Sequence, residues 1–233
     1  MLISDYLFNE SKDIWQSYLK HPFLVKMGEN TLDKEKFRKY LIQDFLYLKE
    51  YAKVYAMGLI KSDKMENIKF FKESIVGILE DESATHIEYL KDFGEKIDEL
   101  DKYSINFDNE TYTSYMKSIA LTGDIQDLVI AVLPCAWSYY YIGTKMKEKY
   151  KENLKDNFYG KWIESYSSED YALCAKKNID FANKICAGVD ENKKEKLKEI
   201  FIKASPSDSC PWRRIRVGII SSSCSNHLTM MRL

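Results

Sequence analysis

Residues 33–60 read DKEKFRKYLIQDFLYLKEYAKVYAMGLI. At about 100° per residue, Phe37, Tyr40, Leu48, Tyr51 and Tyr55 fall on one stripe of a helix. Lys39, Lys49, Glu50 and Lys53 fall on the opposite face, as solvated residues should. Asp44 breaks the pattern: it lies at the centre of the aromatic stripe, beside Tyr47. A carboxylate placed there is costly unless it is paired or hydrogen-bonded. Two readings follow: tyrosine hydroxyls or backbone satisfy it, or it waits for a donor on a ligand.

The same periodicity extends outward over most of the chain. It marks helices at residues 2–20, 33–60, 64–95, 109–122, 125–149, 152–165 and 168–187, with another at 191–204. Asp33 and Asp124 stand where helices should start, and Gly94 and Gly188 where they should stop. Four prolines and nine glycines are few for 233 residues, and no stretch alternates with the period of a strand. The expected fold class is all-α, a helical bundle. The pattern changes after Ser205, where the chain runs PSDSCPWRRIRVGIISSSCSNHLTMMRL. Residues 1–205 therefore read as one helical domain, and 206–233 as a divergent, irregular tail without an apolar stripe.

Composition narrows the function. A formal charge of −1 gives no electrostatic reason to bind nucleic acid or an anionic membrane. No apolar run approaches the roughly 20 residues that span a bilayer. The first residues, MLISDYLFNESKDIW, lack the features of a signal peptide, so a cytoplasmic protein is expected. Five widely spaced cysteines match no zinc pattern and read as free thiols.

One of those thiols stands in an unusual setting. Residues 131–143 read AVLPCAWSYYYIG. Cys135 shares a helix face with Leu128, Ala131, Val132, Tyr139, Ile142 and Met146, so it points to the core. Pro134 removes the amide that would reach the Ile130 carbonyl, and a kink there would open the helix beside the thiol. Cys135 is then either a small core hydrophobe or a nucleophile whose acid and base come from other helices. A third stretch, ILEDESATHIEYL (residues 78–90), puts Glu82 and His86 on an apolar stripe with Ile75, Leu79, Tyr89 and Phe93. Carboxylate-bridged metal bundles use a Glu-x-x-His spacing. That spacing is missing, so a hydrogen bond within or between helices is preferred to a metal site.

Four segments together, QDFLYL around Asp44, TYTSYM around Tyr112, PCAWSYYYIG around Cys135 and WIESYSSEDY around Tyr166, resemble the motifs of the TenA/thiaminase II family. The resemblance covers the chain to about Ser205. It implies a haem oxygenase-like helical fold without haem, metal or other cofactor, assembled as a homotetramer. It implies hydrolysis of thiamine or of an aminomethyl pyrimidine to hydroxymethyl pyrimidine. By this resemblance Cys135 is the nucleophile that adds to the pyrimidine ring. Asp44 holds the ring's amino group and the neighbouring nitrogen, and Tyr47, Tyr112, Tyr139 and Tyr166 line the pocket. The chain departs from the family where a glutamate general acid belongs: it carries Asp208 in Asp208-Ser-Cys-Pro-Trp212, with Pro206 and Pro211 nearby. Two expectations stand side by side. Either a frameshifted or truncated end leaves an impaired enzyme, or even a pyrimidine-binding or regulatory protein; or Asp208 serves as the acid.

Overall fold

Asp33 starts the decisive helix as its position suggests, its side chain accepting a hydrogen bond from the Lys36 amide at 3.1 Å. That helix, α3 in the computed structural model, spans Lys34–Ile60. The structure describes residues 1–205, excepting the side chains of residues 81–83. Before α3 come α1 (Ile3–Tyr18) and α2 (Pro22–Gly28). After it come α4 (Met65–Val76), a π-helical turn (Gly77–Glu82) and α5 (Ser83–Asp92). The chain continues through α6 (Phe107–Thr122), α7 (Ile125–Tyr150), α8 (Gly160–Tyr166), α9 (Glu169–Ile185) and α10 (Glu191–Ala204). Short 3-10 turns lie at Ile97–Lys102 and Lys151–Asn153, and there is no strand among the described residues. The architecture is all-α.

α7 owes its place to its composition. Every residue from Asp127 to Ala136 is buried, so over nearly three turns it has no solvent face. A helix that is apolar all round must lie inside, and α3, α6, α8, α9 and α10 pack around it. Its N-terminus is held by a capping box in which the Asp124 and Asp127 side chains each accept from the other's amide. Pro134 sits within this helix, which runs on unbroken to Tyr150. α3 packs on α4, α5 and α6 as well as on α7. Trp15 of α1 packs edge-on to Trp137 of α7 and also meets Phe201 of α10, fixing three helices together.

Two local features set the site's walls. A Cβ on Gly143 would lie 2.6 Å from the Tyr166 backbone, so only glycine lets α8 come this near to α7. The π-helical turn re-phases the stretch before His86. Leu79, expected on the buried stripe with His86 and Tyr89, is instead half exposed, whereas His86 and Tyr89 are buried. The wider turn inserts a residue and breaks the 3.6-residue period on which the stripe was drawn. Glu82's side chain lies outside the described residues, as does the expected tail, residues 206–233.

Candidate active site

α3 and α7 run antiparallel, and their facing residues make three successive links. The Tyr139 hydroxyl donates to Asp44 Oδ1 at 3.4 Å. One turn along, Tyr47 lies beside Cys135, its buried hydroxyl making no hydrogen bond among the described residues. One turn further, the Tyr51 hydroxyl donates to the Val132 carbonyl at 2.7 Å. Asp44 and Cys135 are thus brought together across one seam, a turn apart. Asp44, Tyr47, Tyr112, Cys135, Tyr139 and Tyr166 are all 5% exposed or less. Asp208 lies outside the described residues.

Two helices complete the surroundings of Asp44. His86 of α5 places Nδ1 3.0 Å from Asp44 Oδ2, an ion-pair contact rather than an in-line hydrogen bond. Its other nitrogen, Nε2, is 3.1 Å from the Tyr166 hydroxyl of α8. The Tyr166 ring returns to α7, its centroid 4.7 Å from that of Tyr139. Trp162 stands 4.6 Å from Tyr166 and donates its indole N–H to the Tyr40 hydroxyl at 3.1 Å. Asp44 therefore has an imidazole on one oxygen and a phenol on the other. The 3.4 Å phenol contact is long for an O–H···O bond, so Oδ1 is the loosely held side of a buried carboxylate.

The thiol end has a different character. Tyr47 stacks on Tyr112 of α6 with ring centroids 5.7 Å apart and planes 13° from parallel. It also stacks on Tyr51 at 5.2 Å. Burial pushes the Tyr47 hydroxyl well above the usual phenol range, and its neighbours Cys135, Tyr112 and Tyr51 push it further. Tyr112 reaches past this stack and donates to the Ala204 carbonyl at 2.9 Å, tying α6 to the end of α10. Such parallel phenol faces suit a flat aromatic ring.

Spacing in the sequence put Asp44 among tyrosines on one stripe, Tyr40 included, but did not show the partnership of Asp44 with His86 or the place of Trp162. A signal for His86 was present: it is an ionisable residue on an apolar stripe, away from both ends of the chain. Choosing its partner needs the α3–α5 packing, which no spacing in one helix reveals. Among the described residues no group of three His, Cys, Asp or Glu side chains gathers as a metal would require.

The sequence and the fold have counterparts elsewhere. Residues 9–230 match the TENA/THI-4/PQQC family. An aminopyrimidine aminohydrolase from Helicobacter pylori is 36% identical over 91% of this chain and 97% of its own length. Among solved structures, a TenA homologue from P. horikoshii OT3 superposes with a TM-score of 0.80 at 27% identity, covering 92% of this chain and 98% of that one. A domain of unknown function from Shewanella denitrificans, described as having a heme oxygenase-like fold, superposes with a TM-score of 0.70 at 13% identity. It covers 91% of this chain and 90% of that one. The fold is haem oxygenase-like, and the chain belongs to the TENA/THI-4/PQQC family.

Proposed function

We propose that this protein is an aminopyrimidine aminohydrolase of the thiaminase II type. The observation that carries this reading is the seam itself: a buried carboxylate and a buried thiol, one turn apart on facing helices, beside parallel tyrosine rings. An aminopyrimidine is flat, with a polar edge. Asp44 Oδ1 accepts from the exocyclic amino group and displaces the long contact from Tyr139. His86 holds the other oxygen and keeps the carboxylate from turning. The tyrosines cover the ring faces.

In this reading the Cys135 sulfur forms a bond to the unsubstituted ring carbon next to the one that bears the methylene. The displaced electron pair passes to a ring nitrogen, which takes up a proton. That pair then returns through the ring and expels the group on the methylene, which leaves with its bonding electrons. Water adds to the exocyclic methylene so formed. Departure of the thiol restores aromaticity and returns the enzyme to its starting state. The sum is hydrolysis of the methylene–nitrogen bond, split into two steps by a covalent intermediate. Nothing in the sum consumes a cofactor. The proton needs a positioned acid. Asp208 stands where the family resemblance calls for a glutamate; its carboxylate is one methylene shorter, and Pro206 and Pro211 flank it. Turnover about 10²–10⁴-fold below that of a chain with a positioned acid is the corresponding expectation.

The test is a coupled assay for hydroxymethyl pyrimidine, with aminomethyl pyrimidine and thiamine as substrates. Slow, enzyme-dependent release that vanishes in Cys135→Ser supports the proposal. Release that persists in that variant removes Cys135 as nucleophile, and no release from either substrate removes the activity. No helix among the described residues is long and apolar enough to cross a membrane. A cytoplasmic homotetramer is the matching expectation for location and assembly, checked by fractionation and by light scattering.

A further inference from the structure

α7 runs unbroken through Pro134, although the proline has no amide to offer the Ile130 carbonyl and its ring crowds that turn. A helix so interrupted ordinarily bends open around the residues just before the proline. Cys135 is the next residue, so any opening there moves the thiol. The restraint comes from α3. The Tyr51 hydroxyl donates to the Val132 carbonyl at 2.7 Å, inside the turn that the proline weakens. In an α-helix that carbonyl also receives the amide of residue 136, so the phenol grips the turn in which Cys135 lies. Tyr51 is itself held in place. Its ring stacks on Tyr47 at 5.2 Å and stands edge-on to Tyr55 at 5.0 Å. Its hydroxyl is 3.3 Å from that of Tyr55, which donates to Asn178 Oδ1 of α9 at 2.9 Å. The Asn178 amino group donates in turn to the Cys174 carbonyl at 2.9 Å, which sets the end of the side chain that faces Tyr55. Asn178 therefore takes the one proton of Tyr55, and Tyr55 meets Tyr51 with lone pairs. Tyr51 keeps its own proton on the nearer oxygen, that of Val132. Tyr51, Tyr55 and Asn178 are all buried, where such bonds are strong and no water competes for them.

We infer that Tyr51 is a positioning residue for Cys135: its hydroxyl supplies from the neighbouring helix the restraint that Pro134 removes, and so fixes the reach of the thiol toward the ring. The inference rests on the hydrolase reading above. It gives Tyr51 a part separate from ring binding, which falls to Asp44 and the Tyr47–Tyr112 stack. Loss of the hydroxyl then slows the chemical step and leaves ring binding as it was.

Tyr51→Phe keeps both ring contacts and removes the hydroxyl alone. With aminomethyl pyrimidine as substrate, kcat should fall about 10-fold while KM stays within about 2-fold. Pro134→Ala gives the Ile130 carbonyl its amide back, and alanine is the best helix former. In that background the phenol's grip is redundant, and adding Tyr51→Phe should change kcat by about 2-fold or less. An undiminished kcat in Tyr51→Phe, a loss carried by KM instead, or an equal loss in both backgrounds overturns the inference and leaves the hydrolase reading standing. A second measurement needs no turnover: hydrogen exchange at the amides of residues 135–138, read by mass spectrometry in the parent chain and the same variants. Exchange should quicken several-fold in Tyr51→Phe and slow again when Pro134→Ala is added. That pattern in a chain that hydrolyses nothing keeps the restraint on the turn and removes the activity. Exchange that Tyr51→Phe does not change, or that Pro134→Ala does not restore, overturns the inference.

Discussion

The described residues bury two ionic aspartates in quite different ways. Asp127, at the start of α7, is 1% exposed and receives Lys193 at 2.9 Å and Lys196 at 2.7 Å. It also closes the capping box with Asp124. Burial alone would raise its pKa, but the two lysine hydrogen bonds outweigh that and hold the carboxyl below the usual range. Asp44 is 2% exposed and has no lysine or arginine partner among the described residues. It rests between an imidazole and a distant phenol. Fixed cations saturate a carboxylate and make it part of the frame. Groups that can give way leave a carboxylate able to accept a ligand's donor. The difference separates a structural acid from one suited to chemistry, and substitutions at the two ends should separate in the same manner.

Cys135→Ser has the largest expected effect. Steady-state turnover of aminomethyl pyrimidine should fall about 10³-fold or more with little change in melting temperature, because the change is confined to one atom. Asp127→Asn should do the reverse. It removes half of a capping box and a doubly paired charge, at a cost of about 2 kcal/mol, seen in calorimetry as a drop of roughly 4–8 °C, while KM stays the same. Its pH dependence follows in sign. A carboxyl held low in the folded state adds stability above the unfolded pKa, near 4, and loses it as pH falls through the folded value. The variant should therefore show a shallower fall in melting temperature below about pH 4 than the parent chain. Equal slopes would remove Asp127 from the acid-sensitive frame.

Smaller effects probe the Asp44 end and the phenol stack. His86→Gln should raise KM about 10-fold by loosening one oxygen of Asp44. If KM holds and only stability falls, His86 is a core residue and not a positioning one. Tyr112→Phe keeps the stack with Tyr47 but leaves the Ala204 carbonyl without its donor, and should change kcat/KM about 3-fold.

The outline of the bundle was legible where a helix carries its own evidence. α3, α7, α9 and α10 follow from long stripes, and Asp33, Asp124, Gly94 and Gly188 mark ends that the structure bears out. Both glycines have positive φ, 81° and 78°. What failed was short or held from outside. α2 has only seven residues, too few for a period to show. Residues 152–165 read as one helix, yet only Gly160–Tyr166 is α-helical. The preceding loop is fastened by Asn157, whose amide donates to the Met27 and Gly28 carbonyls of α2 at 3.0 and 3.1 Å. That tertiary anchor outweighs the local helix propensity. The π-helical turn hid itself likewise, because a one-residue insertion leaves composition unchanged. At the candidate site, spacing exposed Asp44 as an anomaly and could not supply His86, a partner on another helix.

The central claim is that Asp44 holds the ring and Cys135 acts on it. Calorimetric titration with hydroxymethyl pyrimidine tests it most directly, on the parent chain, Cys135→Ser and Asp44→Asn. The account predicts that Cys135→Ser binds within about 3-fold of the parent, and that Asp44→Asn binds about 10–10²-fold more weakly. Equal binding by all three proteins, or loss of binding in Cys135→Ser alone, would contradict it.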